Sequence, residues 1–288
     1  PHPSCEQYTS LSYTLDMHIY FSGAGGVGIG PLAEIAHQAG YEVSGSDLAR
    51  NLMTDQLTSL GIQVAIGQDG SQIAAVHEQK PIDWFVYTAA LPDDHPELVF
   101  AREHGIRTSK RDELLAEIIK QKNLHLIAVA GTHGKTTTTG MLIWAAQQLG
   151  VPVSYSIGTT INFGPSGLYD PQSKYFIYEC DEYDRNFLHF HPWASIVTAI
   201  DHDHVDTYPT EDEYYAAFDQ FIGQSEWAIL WQEDCGDLSK VMGQNTRLHL
   251  IDKAKVQASG RLDRIPLVGQ HNRENAYLVK TLLVDHLG

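Results

Sequence analysis

The sequence predicts an α/β protein built as two successive, mostly parallel sheets, and three observations point there. Short uncharged apolar runs alternate with helix-compatible stretches, as strand–helix–strand units require. Two glycine-rich turns, one over residues 23–28 and one over residues 131–134, each follow an apolar run and open a helical pattern. The length of 288 residues suits about two domains, at roughly 150 residues per domain.

Taken in order, His18–Ser22 (HIYFS) is the first strand, residues 31–39 a helix and residues 41–44 the second strand. Residues 63–66 and 84–88 are further strands, separated by polar, helix-compatible segments. Residues 111–122 (RDELLAEIIKQK) put Leu114, Leu115, Ile118 and Ile119 on one side of a helix, the bridge out of the first domain. Residues 124–130 (LHLIAVA) form a buried strand by length and lack of charge, and a long helix then runs to near Gly150. Strands follow at 176–180, 195–200 and 227–231. Between the last two, Tyr214, Tyr215, Phe218, Phe221 and Ile222 recur at helical spacing and read as core. Residues 274–286 form a final helix. The expected division is an extension at 1–16, a first domain at 17–109, a linker helix at 110–122 and a second domain at 123–288.

Composition narrows the function. Nineteen basic against 36 acidic residues leave a net charge of −17, and the basic residues form no run. That balance argues against a general binder of nucleic-acid backbone. A small anion is not, because backbone N–H groups bind phosphate whatever the global charge. Cys5, Cys180 and Cys235 are scattered without a CxxC pair, which argues against a disulfide framework or structural zinc and fits a reducing cytoplasm. No apolar stretch approaches the roughly 20 residues of a membrane span, and the first residues lack the pattern of a signal peptide. A soluble, cytoplasmic protein is expected.

The strongest motif is Ala130–Thr138 (AGTHGKTTT), between a buried strand and a helix. A glycine turn there aims backbone N–H groups inward, and the helix N-terminus adds partial positive charge. Lys135 supplies a mobile charge for terminal phosphates and the Thr136 hydroxyl can ligate Mg²⁺. Val129 stands where the longer GxxxxGK[ST] pattern has its first glycine, so the loop is a shortened form. Two acidic clusters follow later strands: residues 179–184 (ECDEYD) and 201–206 (DHDHVD). Carboxylates and imidazole at strand carboxyl ends suit Mg²⁺ or Mn²⁺ beside phosphate oxygens. The second domain is thus expected to be a P-loop-type ATPase fold. The other turn, GAGGVG over 23–28, with Asp47 closing the next strand, matches the Rossmann-like dinucleotide fingerprint. A NAD-dependent dehydrogenase is the simple reading of it, but the ATP loop has no role in such an enzyme. A nucleotide-sugar diphosphate is the better occupant. Residues 269–276 (GQHNRENA) offer Asn and His groups to an adenine edge, or equally a capping loop.

With these motifs in place, the chain resembles the Mur ligases, ATP-dependent enzymes that add amino acids to the UDP-muramoyl precursor of peptidoglycan. The matching stretches are GAGGVG with SGSD (44–47), KRDELLAE (110–117), AVAGTHGKTTTT (128–139), ECDEYDRNFLHFHP (179–192), DHDHVDTY (201–208) and GQHNRENA. They are most similar to the alanine-adding branch, which joins L-alanine to UDP-N-acetylmuramate through an acyl phosphate. The resemblance implies ATP and Mg²⁺ as cofactors and catalytic roles for Lys135, Glu179 and His204. It implies Thr136, Glu179 and His204 as metal ligands, and Gly131, Thr132, His133, Gly134, Lys135, Thr136 and Thr137 around the phosphates. His271, Asn272 and Asn275 would flank adenine; Gly25, Gly26, Gly28, Asp47, Thr88 and Ala89 would take the UDP-sugar. The absence of lysine from 175 to 239 agrees with that branch, whereas DEYD resembles the murein-tripeptide recycling branch. A non-catalytic UDP-sugar-binding module is a third reading. Family members continue with a third, amino-acid-binding domain, so this chain is expected to bind UDP-muramate and to ligate poorly alone.

Overall fold

The structure, a computed structural model, describes residues 17–88, 90–234 and 247–287. The expected extension (1–16), Ala89 and Cys235 lie outside the described residues. The chain divides into two compact units: residues 1–118 with 165–171, and residues 119–164 with 172–288. The 165–171 segment joins the first unit, a placement that strand–helix alternation does not signal.

The first unit opens with β1 (His18–Ser22), α1 (Ile29–Gln38) and β2 (Glu42–Asp47). It continues with α2 (Leu52–Ser59), β3 (Gln63–Ile66), α3 (Ser71–Gln79), β4 (Trp84–Tyr87), α4 (Pro96–Glu103) and β5 (Arg107–Lys110). All pairings are parallel, in the order β3-β2-β1-β4-β5. The order reverses between β1 and β4, which opens a crevice at their carboxyl ends. β1 is buried throughout, as a strand covered on both faces must be. One face packs Tyr20, Ile73, Val76, Ile82, Phe85 and Leu98 together. The edge strand β5, RTSK, has no apolar residue to announce it. Its register sets Arg107 opposite Trp84, with the guanidinium over the indole ring at 3.4 Å and the Ser109 hydroxyl accepting from the indole N–H at 2.8 Å.

The linker helix α5 (Arg111–Gln121) spans the division between the units, and Leu114, Leu115, Ile118 and Ile119 are all buried. Beyond it come β6 (His125–Ala130), α6 (Lys135–Gln148), β7 (Val153–Ser156), β8 (Gly167–Leu168), β9 (Tyr175–Glu179) and β10 (Ala194–Val197). Then follow α7 (Glu211–Gln224), β11 (Trp227–Trp231), β12 (Arg247–Ile251), α8 (Lys253–Ala258) and α9 (Gln270–Leu282). Parallel strands of the second unit run β12-β11-β10-β6-β9-β7. Tyr214, Phe218, Phe221 and Ile222 of α7 are core as expected, whereas Tyr215 is only half-buried; Phe187 stacks on Phe221 at 4.8 Å and meets Phe218 edge-on at 5.1 Å.

Two expected elements need correction. The strand expected over 195–200 stops at Val197, because the Thr198 hydroxyl turns to the carbonyls of Ala130 and His133 at 3.2 and 2.5 Å. The last helix starts four residues earlier than expected, at Gln270, and gives way to a π-helical turn over Leu283–Leu287. The Gln270 and Glu274 side chains pair across its first turn at 2.8 Å.

His18, 3% exposed, lies between the Ser44 hydroxyl (2.7 Å) and the Pro81 carbonyl (3.3 Å). Burial holds its imidazole below the ordinary 6.5, so the unfolded chain binds that proton more readily than the native one. Stability contributed by this group is therefore fully present above about pH 6.5 and is lost progressively as pH falls from there toward the lowered native value. Urea unfolding at pH 7.5 and 5.5 should show a smaller pH slope for His18→Gln than for the parent chain. Phe85→Ala, at a fully buried ring stacked on Tyr20, should cost about 3–5 kcal/mol in the same measurement.

Candidate functional site

In the second unit, the loop after β6 lies between the loops that follow its two neighbours, β9 and β10. Gly131 and Gly134 adopt φ of +133° and +85°, backbone that favours glycine. Space is short as well: a side chain at Gly131 would run into the Thr198 hydroxyl and the Ala199 carbonyl. One at Gly134 would meet the Asn275 amide at 2.8 Å. Asn275 of α9 is thereby packed against this glycine loop.

Lys135, the first residue of α6, folds its ammonium back over the loop. It donates to the Gly131 carbonyl at 2.7 Å and to Glu182 Oε1 at 2.9 Å, with Glu182 Oε2 at 2.8 Å. Glu182 is fully buried and its Oε1 also lies 3.3 Å from His204 Nε2. One carboxylate thus joins the loop lysine to the histidine of the second cluster. A parallel link runs beside it: the Thr136 hydroxyl donates to Glu179 Oε1 at 2.5 Å, while Glu179 Oε2 accepts from Gly158 N–H at 2.8 Å. His204 sits at φ +54°, a left-handed conformation that costs energy outside glycine. Asp203 Oδ1 accepts the His204 N–H at 2.7 Å, and that bond holds the Asp203 carboxyl below its usual range. Tyr208 donates its O–H to the Glu182 carbonyl at 2.6 Å, and burial pushes this phenol up to about 12.

In the first unit, the glycine loop rises from the end of β1. Gly23 and Ala24 N–H both donate to the Ser46 carbonyl, at 2.9 and 2.8 Å, and Gly26 N–H donates to the Gly23 carbonyl at 2.9 Å. Gly25 N–H donates to Asp47 Oδ2 at 2.7 Å, so Asp47 braces the loop that it was expected to assist. Gly28 caps α1 and leaves room for the Arg111 guanidinium, which a side chain there would strike. Thr88, half-buried, follows β4 across the crevice from this loop.

Residues 18–123 match the Mur ligase family catalytic domain, and residues 129–259 match the Mur ligase middle domain. The chain belongs to the Mur ligase family. It is 40% identical to the UDP-N-acetylmuramate–L-alanine ligase of Psychrobacter sp. strain PRwf-1, over 93% of this chain. The chain spans 60% of that relative's length. Among solved structures it is similar to the UDP-N-acetylmuramate:L-alanyl-γ-D-glutamyl-meso-diaminopimelate ligase of Neisseria meningitides, with a TM-score of 0.77, 26% identity and 94% of each chain covered. It is also similar to the UDP-N-acetylmuramate–alanine ligase of Thermotoga maritima, with a TM-score of 0.68 and 26% identity. That match covers 82% of this chain and 53% of the other.

Within this member of the Mur ligase family, the expected residues divide by what their side chains do. Lys135, Thr136, Glu179, His204 and Asn275 converge on the glycine loop after β6. Thr132 turns away from it: its hydroxyl donates to the Asp201 carbonyl at 2.8 Å, accepts from Asp201 N–H at 2.9 Å and lies 2.7 Å from the Tyr214 hydroxyl. His133 and Thr137 are exposed beside the loop. His271 is 95% exposed, and Asn272 donates to the Val268 carbonyl at 2.9 Å, so both stand on the open first turn of α9. Three groups were not anticipated as site residues. Glu182 stands inside the ECDEYD cluster, yet nothing in the sequence separates it from its acidic neighbours. Thr198 and Gly158 carry no sequence signal at all.

Among the described residues, no group of three His, Cys, Asp or Glu side chains is arranged to hold a metal alone. Thr136 and Glu179 nevertheless present hard oxygens 2.5 Å apart beside the loop. That donor chemistry fits Mg²⁺ completed by phosphate oxygens and water. Gly131→Ala should lower the stability of the second unit by more than about 3 kcal/mol, since left-handed strain adds to overlap with Thr198 and Ala199. Urea unfolding monitored through that unit checks it.

Proposed function

We propose that this chain forms the UDP-sugar- and ATP-binding part of an ATP-dependent amide ligase of the cytoplasm, joining L-alanine to UDP-N-acetylmuramate. The observation that supports it most is the pairing of Lys135 and Thr136 with the carboxylates Glu182 and Glu179 over a tight glycine loop. ATP would lie with its phosphates on the loop amides and the N-terminus of α6. Lys135 is already aimed across the loop and would exchange its carboxylate partner for the transferring phosphoryl group. Thr136, Glu179 and His204 would hold Mg²⁺, which when bound supplies charge neutralisation for phosphate oxygens. Asn275 would fix the loop from beneath, and the adenine would lie against the exposed turn bearing His271 and Asn272.

In the first unit, the amides of Val27 and Gly28 are the loop's open donors, because those of Gly23, Ala24, Gly25 and Gly26 are already engaged. They would take the diphosphate of the UDP-sugar, with Thr88 across the crevice; Ala89, the other expected contact, lies outside the described residues. The chemistry activates the lactyl carboxylate as an acyl phosphate with loss of ADP. Attack by the amino group of alanine then forms the amide and releases phosphate. The protein's part is positioning and charge stabilisation, as in other phosphoryl transfers. A murein-tripeptide ligase is the second reading, favoured by the DEYD sequence and by the similarity to the Neisseria ligase. The 40% identity to an alanine ligase favours the first.

Calorimetric titration should detect UDP-N-acetylmuramate and an ATP analogue with Mg²⁺ as separate ligands, and no heat from NAD. Binding of NAD alone would overturn the reading. Thr136→Ala should weaken the Mg²⁺–nucleotide complex about tenfold while leaving UDP-sugar affinity unchanged.

A further inference from the structure

Glu97 is the second residue of α4 and is fully buried. Its Oε1 accepts the Tyr20 O–H at 2.9 Å. Its Oε2 accepts the Ser22 and Ser46 hydroxyls at 2.7 and 2.8 Å, and the Gln68 amide at 3.3 Å. No cation pairs with it among the described residues. A carboxyl group held only by neutral donors is an expensive core filler, and an apolar side chain of similar volume would pack there at lower cost. What the carboxylate adds is direction.

The two serines show where that direction leads. Ser22 immediately precedes Gly23, and the Ser46 carbonyl accepts both Gly23 and Ala24 N–H. One oxygen of Glu97 therefore holds the residue from which the glycine loop springs and the residue on which the loop rests. Gln68 cross-braces the two hydroxyls, at 3.0 Å from Ser22 and 3.1 Å from Ser46. The helix bearing Glu97 follows β4, on the far side of the crevice where strand order reverses. A single side chain thus ties the ends of β1 and β2 and the turn after β3 to the element opposite. Burial and the neighbouring Glu97 carboxylate push the Tyr20 phenol well up, so its O–H remains a donor at every working pH.

We propose that Glu97 is a positioning residue for the first glycine loop, acting through Ser22 and Ser46 to aim the loop's open amides at the UDP-sugar diphosphate. The ligand half of this statement rests on the reading of that loop given above. A negative charge beneath a diphosphate repels it, so the effect comes from accepting hydrogen bonds and not from charge. A glutamine at 97 can reproduce it: its oxygen takes the two serines and its amide donates to Tyr20, whose hydroxyl also accepts.

The test uses the full chain with Glu97→Leu, Glu97→Gln and Ser46→Ala. Each is titrated with UDP-N-acetylmuramate and, separately, with an ATP analogue plus Mg²⁺, and followed by amide hydrogen exchange. Glu97→Leu should weaken UDP-sugar binding tenfold or more and speed exchange at Gly23 and Ala24 by a similar factor. Its ATP-analogue affinity should stay within twofold and β6 should keep its protection. Glu97→Gln should lie within threefold of the parent in both readouts. Parent-like binding and exchange in Glu97→Leu would overturn the proposal, as would a Glu97→Gln chain as weak as Glu97→Leu. Should Glu97→Leu fail to fold, Ser46→Ala decides: a threefold or greater loss with faster Gly23 and Ala24 exchange supports the role, and parent-like behaviour refutes it. If the parent chain itself binds no UDP-sugar, the ligand reading fails, and exchange at Gly23 and Ala24 still decides whether Glu97 positions the loop.

Discussion

The parallel register between β6 and its two neighbours is the constraint from which the second unit's chemistry follows. Val129 lies opposite Glu179 on one side, and Ala130 lies opposite Val197 on the other. That pairing ends all three strands at nearly one level, so the phosphate loop, Glu179 and the turn bearing His204 emerge at the same edge. A shift of one residue would send the Glu179 side chain to the opposite face of the sheet, and the Thr136 hydroxyl would lose its partner. Both faces of the strands are buried, which leaves their carboxyl edge as the place where backbone amides can meet a ligand.

At that edge, the fold solves a charge problem with paired groups. Lys135 has its ammonium over a loop of backbone carbonyls and a buried carboxylate, and His204 shares the same carboxylate. The arrangement ties Lys135 to the Gly131 carbonyl and to Glu182 and so braces the loop. Removing one member of such a buried pair is far more damaging than removing both. The first unit uses a different device: its buried carboxylate, Glu97, has neutral donors only and secures backbone geometry. The two units thus place an acid beneath each glycine loop, for different physical purposes.

Much of the architecture was legible because burial on both faces writes itself as uncharged apolar runs. His18–Ser22 and Trp227–Trp231 begin and end where the sequence pattern places them. Strand β5 was not legible, since RTSK owes its place to Trp84 on the neighbouring strand and not to its own hydropathy. Strand β10 was read too long for a related reason: Thr198 looks like strand until its hydroxyl is seen bonded to the Ala130 and His133 carbonyls. Helix α9 was read as starting four residues too late because its first turn, with His271 and Asn272, faces outward and carries no apolar periodicity.

The sequence by itself determined the α/β class, the two glycine loops and the residue types able to bind phosphate and metal. Those features are local: a turn needs its glycines and a buried strand its apolar run, whatever lies elsewhere in the chain. Tertiary structure alone decided which carboxylate serves which partner. Glu179 meets Thr136 and Glu182 meets Lys135 and His204, although the two acids are three residues apart in one acidic run. The choice turns on the strand ending at Glu179 and a short 3-10 turn beginning at Tyr183, which together set the direction of each side chain. Spacing along a chain gives no such direction, because it is set by hydrogen bonds to residues dozens of positions away.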